Sequence, residues 1–155
     1  MKNGNEIIGQ LSALCEGVPY LAANLSNASA LLYDALPRLN WAGFYLLRGG
    51  ALWLGPFQGK PACVRIAPGK GVCGRAAEED RTLVVPDVHV FPGHIACDGA
   101  SRSEIVVPLH RAGKVVGVLD LDSPEYDRFT EEDRELIERF ASKLEELLED
   151  QWEQE

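Results

Sequence analysis

The 155-residue sequence has no long apolar run, no cluster of basic residues and few cysteines. No stretch approaches the roughly 20 apolar residues that a membrane-spanning helix needs. The start, MKNGNEIIGQ, also lacks the basic and then apolar pattern of a secretory signal. Acidic residues outnumber basic ones by 24 to 15, which gives a net charge of -9. Nucleic acids and anionic membranes are therefore poor partners, and we expect a cytoplasmic protein.

The cysteines are Cys15, Cys63, Cys73 and Cys97. Without a secretory signal they do not indicate a structural disulfide framework, which leaves buried apolar side chains, metal ligands or redox groups. The last three have the spacing C-x9-C-x23-C, which contains no C-x2-C pair, so structural zinc is disfavoured even with His89 and His94 nearby. We interpret Cys15 as a buried filler, because it ends an apolar segment.

Apolar residues at helical spacing predict one helix over residues 5–16 and another over residues 20–36. Gly17 and Pro37 end these two patterns. A closing helix begins at Thr130, with Asp133 in the position of a capping box. Its apolar stripe consists of Leu136, Ile137, Phe140, Leu144, Leu147 and Leu148.

Between these helices the pattern changes to alternating apolar residues, which predicts strands. Residues 41–47 and 51–59 form a hairpin across a Gly-Gly turn, and further strands cover residues 62–66, 82–85, 104–111 and 115–123. A glycine-rich turn before Cys73 leads into a short helix. We therefore expect one α+β domain over residues 1–155, with an antiparallel sheet, the terminal helices on one face and a ligand pocket on the other.

Strand alternation assigns faces to the first and last long strands. Trp41, Gly43 and Tyr45 share one face of the first strand, opposite Ala42, Phe44 and Leu46. Val116, Val118, Asp120 and Asp122 share one face of the last strand, opposite Val115, Leu119 and Leu121. Trp41 and Tyr45 are candidates for a pocket wall, with ordinary core packing as the alternative.

The segment PGHIACDGASRSE, residues 92–104, consists mostly of small and polar residues around Cys97. Such a loop allows close approach of a ligand, so we interpret Cys97 as a reactive thiol that a substrate can reach. Cys73 is a second candidate, because the dipole of the helix that it begins would favour its thiolate.

Asp120 and Asp122 project from the same face of a strand, and Glu104 begins the neighbouring strand. The alternative is a strand end that emerges into solvent. If the three acids share a cleft, their repulsion raises at least one pKa, so the cluster could bind an ammonium group and supply a proton.

Four segments together resemble the free methionine-(R)-sulfoxide reductases, which are single GAF domains: WAGFYLL, QGKPACVRIAPGKGVCGRA, DVHVFPGHIACDGASRSEIVVPL and LDLDSP. The resemblance implies reduction of free L-methionine-(R)-sulfoxide, with no bound cofactor, no metal and electrons from thioredoxin. It implies Cys97 as nucleophile, Cys63 as the main resolving thiol and Cys73 as an accessory thiol. Glu104, Asp120 and Asp122 would bind substrate, and Trp41 and Tyr45 would line its methyl-sulfoxide end. The apolar stripes of the terminal helices and the habit of the family favour a homodimer, with packing of the same stripes within a monomer as the alternative.

A sulfoxide oxygen leaves only when protonated, so we expect Glu104 or Asp122 to donate a proton as Cys97 attacks sulfur. Nearby acids disfavour the Cys97 thiolate, and we therefore expect activation once the substrate ammonium neutralises the cluster. The alternative function is a non-catalytic GAF domain that senses a small molecule, since one fold hosts many functions.

Overall fold

The structure is a computed structural model that describes residues 3–95 and 97–155. Within these ranges the helices are α1 (Gly4–Cys15), α2 (Leu21–Ala35), α3 (Gly71–Glu79) and α4 (Glu131–Leu147). The strands are β1 (Trp41–Arg48), β2 (Ala51–Gly59), β3 (Arg65–Ile66), β4 (Leu83–Val85), β5 (Ser103–Arg111) and β6 (Lys114–Ser123). A short 3-10 helix covers Val88–Val90.

The strands form one sheet in the order β3-β2-β1-β6-β5-β4. Each neighbouring pair is antiparallel. In this order β1 and β6 lie side by side at the centre of the sheet. The antiparallel α+β class and the positions of the terminal helices are confirmed.

The alternation of β1 separates two apolar cores. Ala42 and Phe44 pack beneath α1, α2 and α4, whereas Trp41 and Tyr45 pack on the opposite face with α3. Each β1 residue therefore contributes to one layer, as period two requires. The face with α3 is the one left open for a ligand.

The predicted start of α4 is confirmed. The Thr130 side chain accepts from the backbone N–H of Asp133, and the Asp133 side chain accepts from the N–H of Thr130. This exchange satisfies two N–H groups that the helix leaves without partners. Asp133 also pairs at 2.8 Å with the guanidinium of Arg128, which is only 8% exposed.

Two predictions about strands are wrong. The strand predicted over residues 62–66 is limited to Arg65–Ile66, which pair with Trp53 and Leu52, so Cys63 lies in irregular backbone before it. Val116 packs against the helix-side core rather than beside Val118. The reason is a bulge, since Leu109 pairs with Gly117 but His110 pairs with Val115, which leaves Val116 as the extra residue.

β2 approaches β1 closely at Gly43, and the register shifts there between Gly43 and Tyr45. A Cβ at this position would lie 2.8 Å from Phe57 Cα and 2.9 Å from Pro56 O, and backbone atoms yield little. We expect Gly43→Ala to lower the free energy of unfolding by about 1–3 kcal/mol. Denaturant unfolding measures this loss of stability. Gly9→Ala is the control, because a Cβ at Gly9 in α1 meets nothing within 4 Å. Equal stability of both variants would contradict the steric argument.

Candidate active site

The three predicted acids meet because of strand register. Glu104 of β5 is paired with Asp122 of β6, and Asp122 is paired with Trp41 of β1. Asp120 lies two residues away on the same strand, opposite Val106 and Gly43. Directly paired residues and their diagonal neighbours on one face are close enough to interact. Antiparallel pairing therefore gathers carboxyls from two strands beside the Trp41 ring.

These side chains line a cavity that we call the acid chamber, with a volume of about 50 Å³. Its lining comprises Trp41, Tyr45, Ala62, Ile66, Gly71, Val72, Cys73, His94, Ile95, Cys97, Asp98, Ser101, Glu104, Asp120 and Asp122. It lies between the sheet, the start of α3 and the loop that carries Cys97. All the predicted site residues except Cys63 line this chamber.

Aromatic rings form one wall of the acid chamber. The Trp41 and Tyr45 rings stack with centroids 5.9 Å apart, and the Phe57 ring stacks with Trp41 at 5.1 Å. The Tyr45 hydroxyl donates to the Cys63 carbonyl at 2.8 Å, and Trp41 Nε1 donates to the Lys60 carbonyl at 3.2 Å. The rings thus belong to the core and also line the chamber, and their polar ends hold the segment before β3.

Cys63 and Cys97 are joined in a disulfide, with Cα atoms 5.4 Å apart. This spacing is typical of a native disulfide. Each cysteine is only partly buried, and Cys97 faces the acid chamber. The bond connects two irregular segments, so its formation and cleavage need not disturb the strands.

The Cys97 loop is anchored to the head of β1. Asn40 Nδ2 donates to Asp98 Oδ2 and to Ser101 Oγ, each at 3.0 Å, and the Asn40 backbone N–H donates to the Asp122 carbonyl at 3.0 Å. Asp98 Oδ1 also accepts from the Ala100 N–H at 2.9 Å. One asparagine therefore connects the residue after Cys97 to the strand that carries the acids.

The three acids are buried, with Glu104 6%, Asp120 5% and Asp122 9% exposed. The alternative of a strand end in solvent is therefore wrong. Burial, followed by repulsion from Asp122, raises the pKa of Asp120 to about 8. Burial, followed by repulsion from a neighbouring carboxylate, raises the pKa values of Glu104 and Asp122 well above their ordinary range. The cluster holds protons near neutrality, and a cation would displace them.

Cys73 departs from the prediction. It lies in the first turn of α3, as expected, but it is only 4% exposed and lies against the acids. Burial, followed by the negative charge of Asp120 and Glu104, raises its pKa well above the ordinary value. The prediction of a favoured Cys73 thiolate is therefore wrong, because burial and the charges of three carboxyls outweigh the helix dipole, whose effect on a charge is about 0.3–1 kcal/mol.

Residues 6–148 match the GAF domain family. The chain is 53% identical over 137 residues to the free methionine-R-sulfoxide reductase of Escherichia coli (strain K12), covering 88% of this chain and 83% of that protein. The chain belongs to the free methionine-R-sulfoxide reductase family. The enzyme of that name from Saccharomyces cerevisiae (strain ATCC 204508 / S288c) is 47% identical, over 92% of this chain and 86% of that protein.

Solved structures from the free methionine-R-sulfoxide reductase family superpose closely. The Staphylococcus aureus protein in complex with substrate has a TM-score of 0.90 at 51% identity, covering 96% of this chain and 97% of that chain. The Neisseria meningitidis reductase in complex with its substrate has a TM-score of 0.90 at 42% identity, covering 94% and 88%. The recognised family and the GAF fold are confirmed.

Sequence reasoning missed several residues that line or support the chamber of this free methionine-R-sulfoxide reductase family member. Asn40, Asp98 and Ser101 form the loop anchor, and Gly71 and Val72 present the start of α3. The small and polar composition of residues 92–104 was a signal for Ser101, but only the fold brings Asn40 to it. Of the two histidines near Cys97, His94 lines the chamber, whereas His89 pairs with Asp87 at 2.9 Å on the surface.

The helices of this family member over residues 3–95 and 97–155 are all too short or too polar to cross a bilayer.

Proposed function

We propose that this protein reduces free L-methionine-(R)-sulfoxide to L-methionine by cysteine redox chemistry in the acid chamber. The observation that carries the proposal is the Cys63–Cys97 disulfide beside three buried carboxyls. A thiol pair provides two electrons, and the acids provide both a cation site and protons. Membership of the free methionine-R-sulfoxide reductase family supports the same reaction.

The chamber suits a free amino acid. The ammonium group would lie among Glu104, Asp120 and Asp122, where it replaces the protons that these acids hold. The start of α3 has no side-chain cap, and its backbone N–H groups at Gly71 and Val72 suit the substrate carboxylate. The side chain would then lie against the Trp41 and Tyr45 rings.

Chemistry begins at Cys97. Its thiol sulfur bonds to the sulfoxide sulfur while Glu104 or Asp122 protonates the oxygen. The oxygen then passes to the Cys97 sulfur as the S–O and S–S bonds to the methionine sulfur break, which leaves methionine and a Cys97 sulfenic acid. The Cys63 thiol then attacks the Cys97 sulfur, which forms the disulfide and releases water. Sulfoxide is reduced by two electrons and the two thiols are oxidised by two. Cys73 would act as an accessory thiol, although its burial favours a role in packing against the acids.

A dithiol protein must then reduce the disulfide, and we propose thioredoxin. The partly buried disulfide lies beside Val64, which is 62% exposed, and near Ile95, which is 38% exposed. Apolar surface of this kind suits docking of a partner that must reach the sulfur atoms. A cytoplasmic location and a homodimer are part of this proposal.

The deciding experiment follows NADPH oxidation in the presence of thioredoxin and thioredoxin reductase. We expect turnover with free L-methionine-(R)-sulfoxide, none with the (S) epimer, and at least a roughly 10²-fold lower kcat/KM with the N-acetylated (R) sulfoxide, whose amide cannot be charged. Equal turnover of the free and N-acetylated substrates would contradict the ammonium site. No turnover of any sulfoxide, together with binding of a small molecule, would favour the GAF sensor.

A further inference from the structure

Three buried side chains of the acid chamber offer metal ligands of mixed chemistry. One ligand atom from each of Cys73, Glu104 and Asp120 lies within 4.8 Å of the other two. All three residues are buried, at 4%, 6% and 5% exposure. A thiolate with two carboxylates is a donor set that suits Zn²⁺, which such ligands bind at about 2.0–2.3 Å.

A second observation points to a ligand at the same place. Asp120 Oδ1 is buried without a hydrogen-bond partner among the described residues. Buried carboxylate oxygens are normally satisfied, and a bound cation would satisfy this unpartnered oxygen of a carboxyl that lines the chamber. Asp122, which is paired with Glu104 across the strands, shares a side-chain hydrogen bond with Glu104 and would orient this ligand.

We propose that a thiophilic divalent cation, with Zn²⁺ as the cellular candidate, binds Cys73, Glu104 and Asp120 and inhibits the reductase by competing with the substrate ammonium. The inhibition rests on the proposed function, whereas the metal site does not. Binding releases the thiol proton and any carboxyl protons to solvent. Glu104 and Asp120 cannot hold both cations at once, so the metal and the amino acid exclude each other. The three ligands and Cys97 line the same chamber, so water, or Cys97 of the reduced enzyme, would be available as a fourth ligand.

The test uses Co²⁺, whose bond to a thiolate gives a charge-transfer absorption. The disulfide form of the protein is titrated, because Cys63 and Cys97 then cannot bind the metal and Cys15 and Cys73 are the free cysteines. We expect one equivalent of Co²⁺ to produce the band and Cys73→Ala to lose it. Cys15→Ala should keep the band, because Cys15 lies in the core on the opposite face of the sheet. A band that is absent from the wild type, or that persists in Cys73→Ala, overturns the site.

Competition has its own readouts. Free methionine, which carries the same ammonium and carboxylate groups, should raise the Co²⁺ concentration for half-saturation at least tenfold. In the activity assay, the Zn²⁺ concentration for half-inhibition should rise with substrate, and a chelator should restore turnover. If methionine does not change the Co²⁺ concentration for half-saturation, and substrate does not change the Zn²⁺ concentration for half-inhibition, competition is overturned.

If Cys73→Ala does not fold, Asp120→Asn is titrated with Co²⁺ in its place. An unchanged cobalt affinity in Asp120→Asn overturns the ligand set. Absence of sulfoxide turnover by the metal-free enzyme would contradict the proposed function, whereas the Co²⁺ titration would still test the metal site.

Discussion

Cys97→Ser should lower sulfoxide turnover by roughly 10³-fold or more, because a serine hydroxyl cannot replace a thiol as nucleophile and as the carrier of the oxygen. The variant should still bind methionine, since the acids and the aromatic wall remain in place. Steady-state NADPH oxidation measures the loss, and calorimetric titration with methionine measures the retained binding.

Cys63→Ser separates attack from resolution. This variant should release one methionine per protein in a single turnover and then stop, because the Cys97 sulfenic acid has lost the thiol that resolves it. Quenched-flow analysis of methionine, with trapping of the sulfenic acid, tests this. Cys15→Ser is the matched control, since it changes a cysteine in the helix-side core and should leave turnover unchanged. Full steady-state activity of Cys97→Ser would show that Cys97 is not the nucleophile. Full activity of Cys63→Ser would show that Cys63 is not the resolving thiol.

The fold was largely predictable because its strongest signals are local. Apolar spacing gave α1 and α2 to within about one residue, and the capping box at Thr130 fixed the start of α4. The alternation through Trp41 and Phe44 is strict because β1 lies at the centre of the sheet, with a core on each side. A segment that buries both faces has little freedom to shift its register.

The wrong predictions concern residues whose surroundings depend on contacts between segments that are distant in the sequence. Nothing local marks Val116 as the extra residue of a bulge, since the bulge exists only relative to β5. The apolar neighbours of Cys63 predict a strand there, yet the ladder with β2 covers only Arg65 and Ile66. The Cys73 pKa was predicted in the wrong direction for the same reason. Its helix is visible in sequence, whereas its burial against Asp120 depends on the whole sheet.

In the candidate site, several residues could be predicted from the sequence, whereas their arrangement around one chamber could not. Cys97, Glu104, Asp120 and Asp122 could be named because small residues around a thiol and paired acids on a strand are recognisable without coordinates. That they share one chamber depends on the pairing of Glu104 with Asp122 across β5 and β6. Asn40 could not be predicted as a site residue. An asparagine before a strand does not indicate a functional role, and its contact with Asp98 exists only in the folded protein.

Asp120→Asn should make the substrate-free protein more stable at alkaline pH while impairing catalysis. The folded pKa of Asp120, about 8, lies above the ordinary value. Its stabilising contribution is therefore complete at pH below the ordinary value, near 3.9. It declines as pH rises and is lost above about 8, because the folded state binds the proton more tightly than the unfolded state does. An amide removes this penalty without changing the shape of the side chain.

We expect the variant to exceed the wild type by about 1–2 kcal/mol in unfolding free energy at pH 8, with a smaller gap at pH 5. The value of kcat/KM should fall by roughly 10²-fold or more, since removing one side of a buried charge pair costs about 2–5 kcal/mol. Denaturant unfolding at both pH values and steady-state kinetics measure the two effects. Asp34→Asn, at an exposed position of α2, controls for loss of one negative charge. A stability gap that does not widen with pH would mean that Asp120 holds no proton in the free protein. An unchanged kcat/KM would mean that Asp120 does not bind the substrate ammonium.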